Sequence, residues 1–242
     1  MSGSAQILVI GSPARGVFSR RLLIGGLAGV SSALLYSSFV MAGPLGSRLN
    51  PVVSYVSELG ARTQPHNGFF RASDVISGVL IVVLAVALRP VLPGGVRREA
   101  GVTALTVAGI ASVFDGWHPM VCTPSIDAAC RLREDEVSAL TQLHQAHTLS
   151  SVVGIVAAIA SMVLVGDLMT HSGRAPVLGR IGELTALVVT ALAIIDIPLT
   201  IMGGWVGLVE RCFVAGISVW LAELGVLLLL ELKRVTGIER HN

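Results

Sequence analysis

The sequence predicts an all-α polytopic membrane protein, a single bundle of six transmembrane helices with both termini cytoplasmic, and three observations predict it. Of the 242 residues, 53% are AVILMFWYC and only 13% are DEKR, with a mean hydropathy of +0.78. Soluble domains carry about 25% charged residues. The apolar residues fall into six stretches of about 20, each long enough to cross a hydrocarbon core of about 30 Å as helix. No Pro/Ser-rich linker or long polar segment separates them, so the chain reads as one membrane domain. A net charge of +2 makes no case for nucleic acid, and so apolar a composition excludes a disordered chain.

The spans are expected at about 22–42, 70–92, 100–120, 144–166, 178–201 and 211–232. The first follows Arg20 and Arg21 and outruns a signal-peptide core of about 7–15 residues, so it reads as an anchor. In its middle, Gly25 and Gly29 allow close helix packing, read as an internal contact. The long connection over residues 43–69 carries Asn50, Pro51 at a first helical position and a closing Gly60. That pattern predicts a short amphipathic helix with Ser54, Ser57 and Glu58 on one face, lying in the membrane interface or forming part of a site.

Span 2 opens with Arg71 and Asp74, span 3 ends with Asp115 and His118, and span 4 opens with His144 and His147; each pair is three residues apart and shares a helix face. Span 5 carries Asp196 two residues before Pro198, and span 6 starts with Glu210 and Arg211. Residues 131–136 form a charged run read as the solvated start of span 4.

Orientation follows from the basic residues, which are retained on the cytoplasmic side. With the N-terminus inside, Arg15, Arg20, Arg21, Arg89, Arg97, Arg98, Arg174, Arg180, Lys233, Arg234 and Arg240 are cytoplasmic, 11 against the 6 outside: Arg48, Arg62, Arg71, Arg131, Arg133 and Arg211. The expected location is a bacterial inner membrane, multi-pass.

Helices that alternate in direction carry their ionisable residues at alternating ends, and so at one depth. Such residues usually face a bundle interior or a wet cavity. The sharper reading is a polar pocket opening to the extracytoplasmic face, with Ser57, Glu58, Arg71, Asp74, Asp115, Asp196 and Arg211 as ligand-binding residues. The plainer reading is structural ion pairs, Arg71 with Asp74 or Asp196 with Arg211.

Several of these segments carry a family resemblance. Ser-Glu-Leu-Gly-Ala at Ser57 to Ala61, the acid opening span 2, the run Asp115-Gly116-Trp117-His118-Pro119, the His-initiated span 4 and Gly207-Leu208-Val209-Glu210-Arg211 resemble the bacterial integral-membrane family catalogued as domain of unknown function 998. The resemblance runs from about Leu22 to Leu230 and implies a fold and no activity.

Two function classes fit the residues. In a binding or accessory protein, Arg71, Arg211 and the histidines grip a lipid phosphate while Glu58 and Asp115 hold hydroxyl or amine groups. In a membrane hydrolase acting on a lipid ester or amide, His144, His147 and His118 bind zinc, and Glu58, Asp74 or Asp115 acts as general base for the metal-bound water. A serine hydrolase built on Ser57 lacks any Gly-x-Ser-x-Gly elbow. Glu223, the acid nearest the midplane, reads first as a packing residue. Cys122 and Cys130 flank an outer loop and form either a disulfide or two free thiols, with Cys212 left over. Membrane lipids are the expected partners, with a membrane-protein partner or a second copy also open.

Overall fold

The hydropathy pattern dictates helices, because backbone N–H and C=O groups in hydrocarbon must pair within their own segment. The structure, a computed structural model, describes residues 12–136, 146–173, 175–202 and 204–238. Their helices are α1 (Ser12–Tyr36), α2 (Asn67–Leu88), α3 (Val96–Trp117), α4 (Ala128–Asp135), α5 (Ala146–His171), α6 (Pro176–Met202) and α7 (Val206–Ile238). Short 3-10 turns lie at Ser38–Met41 and Ser57–Gly60, and the described residues contain no strand. All but α4 are long and apolar enough to cross a membrane, six candidate spans in total.

The spans differ from the expected ones at their ends. Helix α1 starts at Ser12 and stops at Tyr36, since exposed Arg20 and Arg21 are tolerated where a helix leaves the apolar layer. Helix α7 continues to Ile238, about 50 Å of helix at 1.5 Å per residue, so its last turns project beyond a hydrocarbon core. The charged run from Arg131 belongs to α4, which Asp127 starts by accepting the Ala129 and Cys130 N–H groups at 2.9 and 3.1 Å.

The six spans form a closed ring in chain order: α1 packs on α2, α2 on α3, α3 on α5, α5 on α6, α6 on α7, and α7 back on α1. Neighbours are antiparallel, so Ser12 and Ile238 mark the same end of the bundle. Small residues set the crossings, as expected where lipid supplies no hydrophobic drive between helices. A Cβ on Gly29 would lie 2.6 Å from the Gly225 Cα, and one on Gly78 would lie 2.4 Å from the Gly109 carbonyl oxygen. Gly25 likewise abuts Ala87 of α2, so Gly25 and Gly29 do make internal contacts.

Leu84, Leu88, Leu105, Met162, Trp220 and Leu228 fill the ring, while Leu27, Val79, Ile110 and Leu187 face outward. Charge is divided between the ends. Five of the six ion pairs among the described residues lie at the terminal end, including Arg97 with Asp167 at 2.6 Å and Arg89 with Glu99 at 3.0 Å. Each has at least one exposed partner, and such pairs contribute little. Among the described residues, the acids at the other end have one such pair, Asp115 with His147 at 3.5 Å.

Candidate functional site

The end of the bundle away from the termini is closed by a cap built from residues 43–66 and the turn after α3. Cys122 and Cys130 are joined as a disulfide, closing that turn into a compact loop. The loop grips the first connection by hydrogen bonds: Arg62 N–H donates to the Met120 carbonyl at 3.1 Å, and the Gln64 side-chain amide donates to the Thr123 hydroxyl at 3.0 Å.

Glu58 is the centre of the clamp. It is fully buried, and its carboxylate accepts the Ser125 backbone N–H at 2.9 Å and the Ser125 hydroxyl. Ser125 Oγ also lies 2.8 Å from the buried Ser54 hydroxyl. Residues 50–60 are therefore two tight turns and not the expected amphipathic helix. Asn50 Oδ1 accepts the Val52 N–H at 2.9 Å, and buried Ser54 and Glu58 take partners from the disulfide loop that a surface helix would leave out of reach.

The same connection lies flush on the start of α7. Arg211 Nη1 donates to the carbonyls of Pro51, Ser54 and Gly207 at 2.8 to 2.9 Å, and Leu208 N–H donates to the Val52 carbonyl at 3.1 Å. Gly207 makes this possible, because a Cβ there would sit 2.2 Å from the Ser54 carbonyl oxygen. Backbone cannot yield as a flexible side chain does, so Gly207→Ala is expected to lift the cap off α7 at a cost of about 1–3 kcal/mol. The check is tryptic cleavage after exposed Arg48 and Arg62, expected to accelerate about tenfold or more. An unchanged cleavage rate would mean the cap is held elsewhere. On the α6 side, burial pushes the Tyr55 phenol up to about 12, so it stays a neutral hydrogen-bonding group near neutral pH; its partner is Thr200.

Beneath the cap lies a cavity of about 100 Å³. Its wall comes from the cap and from α1, α2, α3, α5 and α7, with none from α6. The polar lining is Tyr36, Ser38, Ser57, Arg71, Asp74, Ser112, Asp115, His147, Ser151 and Glu210. Asp115 is the best satisfied of the acids. It accepts hydrogen bonds from Ser150 and, at 3.1 Å, Ser151, and lies 3.5 Å from His147 Nδ1. Glu210 Oε2 accepts the Val56 N–H at 2.5 Å. Asp74 receives the Ser112 hydroxyl only on its backbone carbonyl, at 2.9 Å, and its carboxylate has no hydrogen-bond or ion-pair partner among the described residues. Arg71 is directed by Nε to the Gly116 carbonyl at 3.0 Å.

A second, apolar cleft of about 20 Å³ continues toward the middle of the bundle, lined by Ile81, Leu105, Ala158, Ile217, Trp220 and Leu221. Tyr36, Ala108 and Gly154 border both spaces.

The structure thus brings Ser57, Arg71, Asp74 and Asp115 to one cavity, together with His147. It places Glu58 and Arg211 in the cap's attachments instead of the cavity wall. Asp196 lies off the wall, with a buried Oδ1 that has no partner among the described residues. His118 is exposed and stacks on Phe114 with ring centroids 5.8 Å apart. His144 lies outside the described residues, as do Arg174 and Arg240. Neither expected ion pair, Arg71 with Asp74 or Asp196 with Arg211, occurs among the described residues. Among them, too, no three His, Cys, Asp or Glu side chains are grouped to hold a metal.

Tyr36, Ser112, Ser151 and Glu210 were not among the expected ligand-binding residues. Glu210 carried a signal, its position at the depth of Asp74 and Asp115. A tyrosine at a span end reads equally as an interfacial anchor, and membrane serines commonly bond their own helix.

The profile of a family described as a protein of unknown function, DUF998, matches residues 29–227. No curated protein and no solved structure matches the chain. The match takes in four of the six spans whole, α2, α3, α5 and α6, with the last third of α1, about two thirds of α7 and both halves of the cap, so the chain belongs to the DUF998 family of proteins of unknown function, here as a multi-pass membrane protein.

Proposed function

We propose that this protein binds a lipid-like or amphipathic ligand in the capped cavity, in a binding or accessory role, with the cap on the extracytoplasmic side. The observation that carries the reading is the adjacency of a polar cavity to an apolar cleft across Tyr36, Ala108 and Gly154. An amphipathic molecule matches that gradient, its polar end in the cavity and its apolar part toward the cleft. The excess of Arg and Lys at the terminal end supports the orientation.

Ala108→Leu tests the reading by adding three carbons where the two spaces meet. Native mass spectrometry of the purified protein is expected to detect a stoichiometric amphiphile on the natural chain. The variant should lose it while keeping its thermal unfolding midpoint within about 2 °C, the shift of a fraction of a kcal/mol. Retention of the same molecule by a folded Ala108→Leu protein would overturn the site assignment. The zinc-hydrolase alternative keeps His147 and Asp115, 3.5 Å apart, as its nearest pair. Metal analysis of the same preparation addresses it, since stoichiometric zinc lost on His147→Ala would favour hydrolysis over binding.

A further inference from the structure

The polar end that this cavity accepts can be argued from its charge. Asp74, Asp115 and Glu210 converge from three helices, while the wall offers two basic side chains, Arg71 and His147. Arg71 bonds the Gly116 carbonyl, and His147 stands beside Asp115. Arg211, next in sequence to Glu210, turns to the cap carbonyls. Even with a protonated His147, the ionised wall carries one more negative than positive charge, in surroundings where unpaired charge is costly.

Among the described residues, two acceptors on the wall have no hydrogen-bond partner, the Asp74 carboxylate and the Tyr36 hydroxyl; the buried His147 Nδ1 has none either and stands at an ion-pair distance of 3.5 Å from Asp115. We propose that the ligand carries a protonated amine and seats it between Asp74, Glu210 and Tyr36, with its apolar part directed to the cleft below. This rests on the cavity being a ligand site, and it names the ligand's chemistry. An ammonium supplies the missing positive charge and three N–H donors for groups that are acceptors. A phosphate adds negative charge to a wall that already has too much. The roughly 100 Å³ also suits a small head, an amine on one or two carbons, better than a sugar.

Three single-chain amphiphiles with the same tail test this: a primary alkylamine, an alkyl phosphate and an alkyl alcohol, each titrated into the full chain held in nanodiscs of zwitterionic lipid. Trp220 is fully buried at the cleft, whereas Trp117 and Trp205 are exposed, so a Trp117→Phe/Trp205→Phe protein reports the cleft through Trp220 emission alone. The amine is expected to change that emission saturably, the alcohol at least tenfold more weakly and the phosphate least. Asp74→Asn should weaken amine binding tenfold or more, and Glu210→Gln serves if that variant does not fold. Equal or tighter binding of the phosphate, or an affinity for the amine that a folded Asp74→Asn protein keeps, would overturn the amine while leaving a ligand site in place. Saturable binding of none of the three would overturn both this inference and the reading on which it rests.

Discussion

Replacing Glu58 by glutamine is expected to destabilise the protein by about 1.5–3 kcal/mol, although the substitution changes almost no volume. The carboxylate is an acceptor for both donors of Ser125, and hydrogen bonds to a charged group contribute about that much. A glutamine keeps one acceptor, for the Ser125 N–H, but its nitrogen then faces the Ser125 hydroxyl as a donor, so that hydroxyl must give up its bond to a charged oxygen inside a fully buried site. Reducing the Cys122–Cys130 disulfide acts on the same loop from its other edge. Its short closed loop corresponds to about 2.5 kcal/mol in the chain-entropy account. Both perturbations loosen one structure, so their effects should not add. In a cycle of natural and Glu58→Gln proteins, each oxidised and reduced, the coupling read from denaturant unfolding is expected at about 0.5–3 kcal/mol. Strict additivity would mean that Glu58 does not hold the cap through the disulfide loop.

How much of this was legible in the sequence differs between the bundle and its cap. The six spans were, because 20 apolar residues leave a chain in a membrane little choice but helix. The depth of Asp74 and Asp115 was legible as well, since alternating helix ends fix it without side-chain detail. The cap was not. Asn50, Pro51 and Gly60 have the spacing of a short helix, but Glu58 takes its partner 67 residues away, at Ser125, and a buried carboxylate outweighs local preference. Arg211 illustrates the same limit. Its charge suggested a phosphate grip, whereas its direction is set by how closely the backbone at Ser54 approaches Gly207, a contact between residues more than 150 positions apart. Residue type located the polar depth, and long-range backbone contact decided which polar groups face the cavity.

Gly225→Val is expected to have the largest effect in the spans, opening the ring where α7 meets α1. A Cβ at Gly225 would lie 2.8 Å from both the Gly26 carbonyl oxygen and the Val30 nitrogen, and 3.1 Å from the Gly29 carbonyl carbon. All three are backbone atoms, so no rotamer change relieves the clash and the helices must separate. Overpacking of this kind costs about 3 kcal/mol or more where nothing can give. The separation also removes dispersion contacts that lipid tails replace only in part, with Leu221 and Leu228 losing their fit against α1. Gly43→Ala is the control, since a Cβ there meets nothing within 4 Å, and it should leave stability unchanged. The measurement is the denaturant midpoint of both variants in the same micelle, with the cavity reported separately by amphiphile binding. Because Tyr36 ends α1 and borders both the cavity and the cleft, a ring opened at Gly225 should lose ligand binding together with stability, whereas Ala108→Leu should lose binding alone. A Gly225→Val protein as stable as the natural chain would show that the α1 and α7 backbones do not touch, and would remove the closed ring on which the shape of the cavity depends.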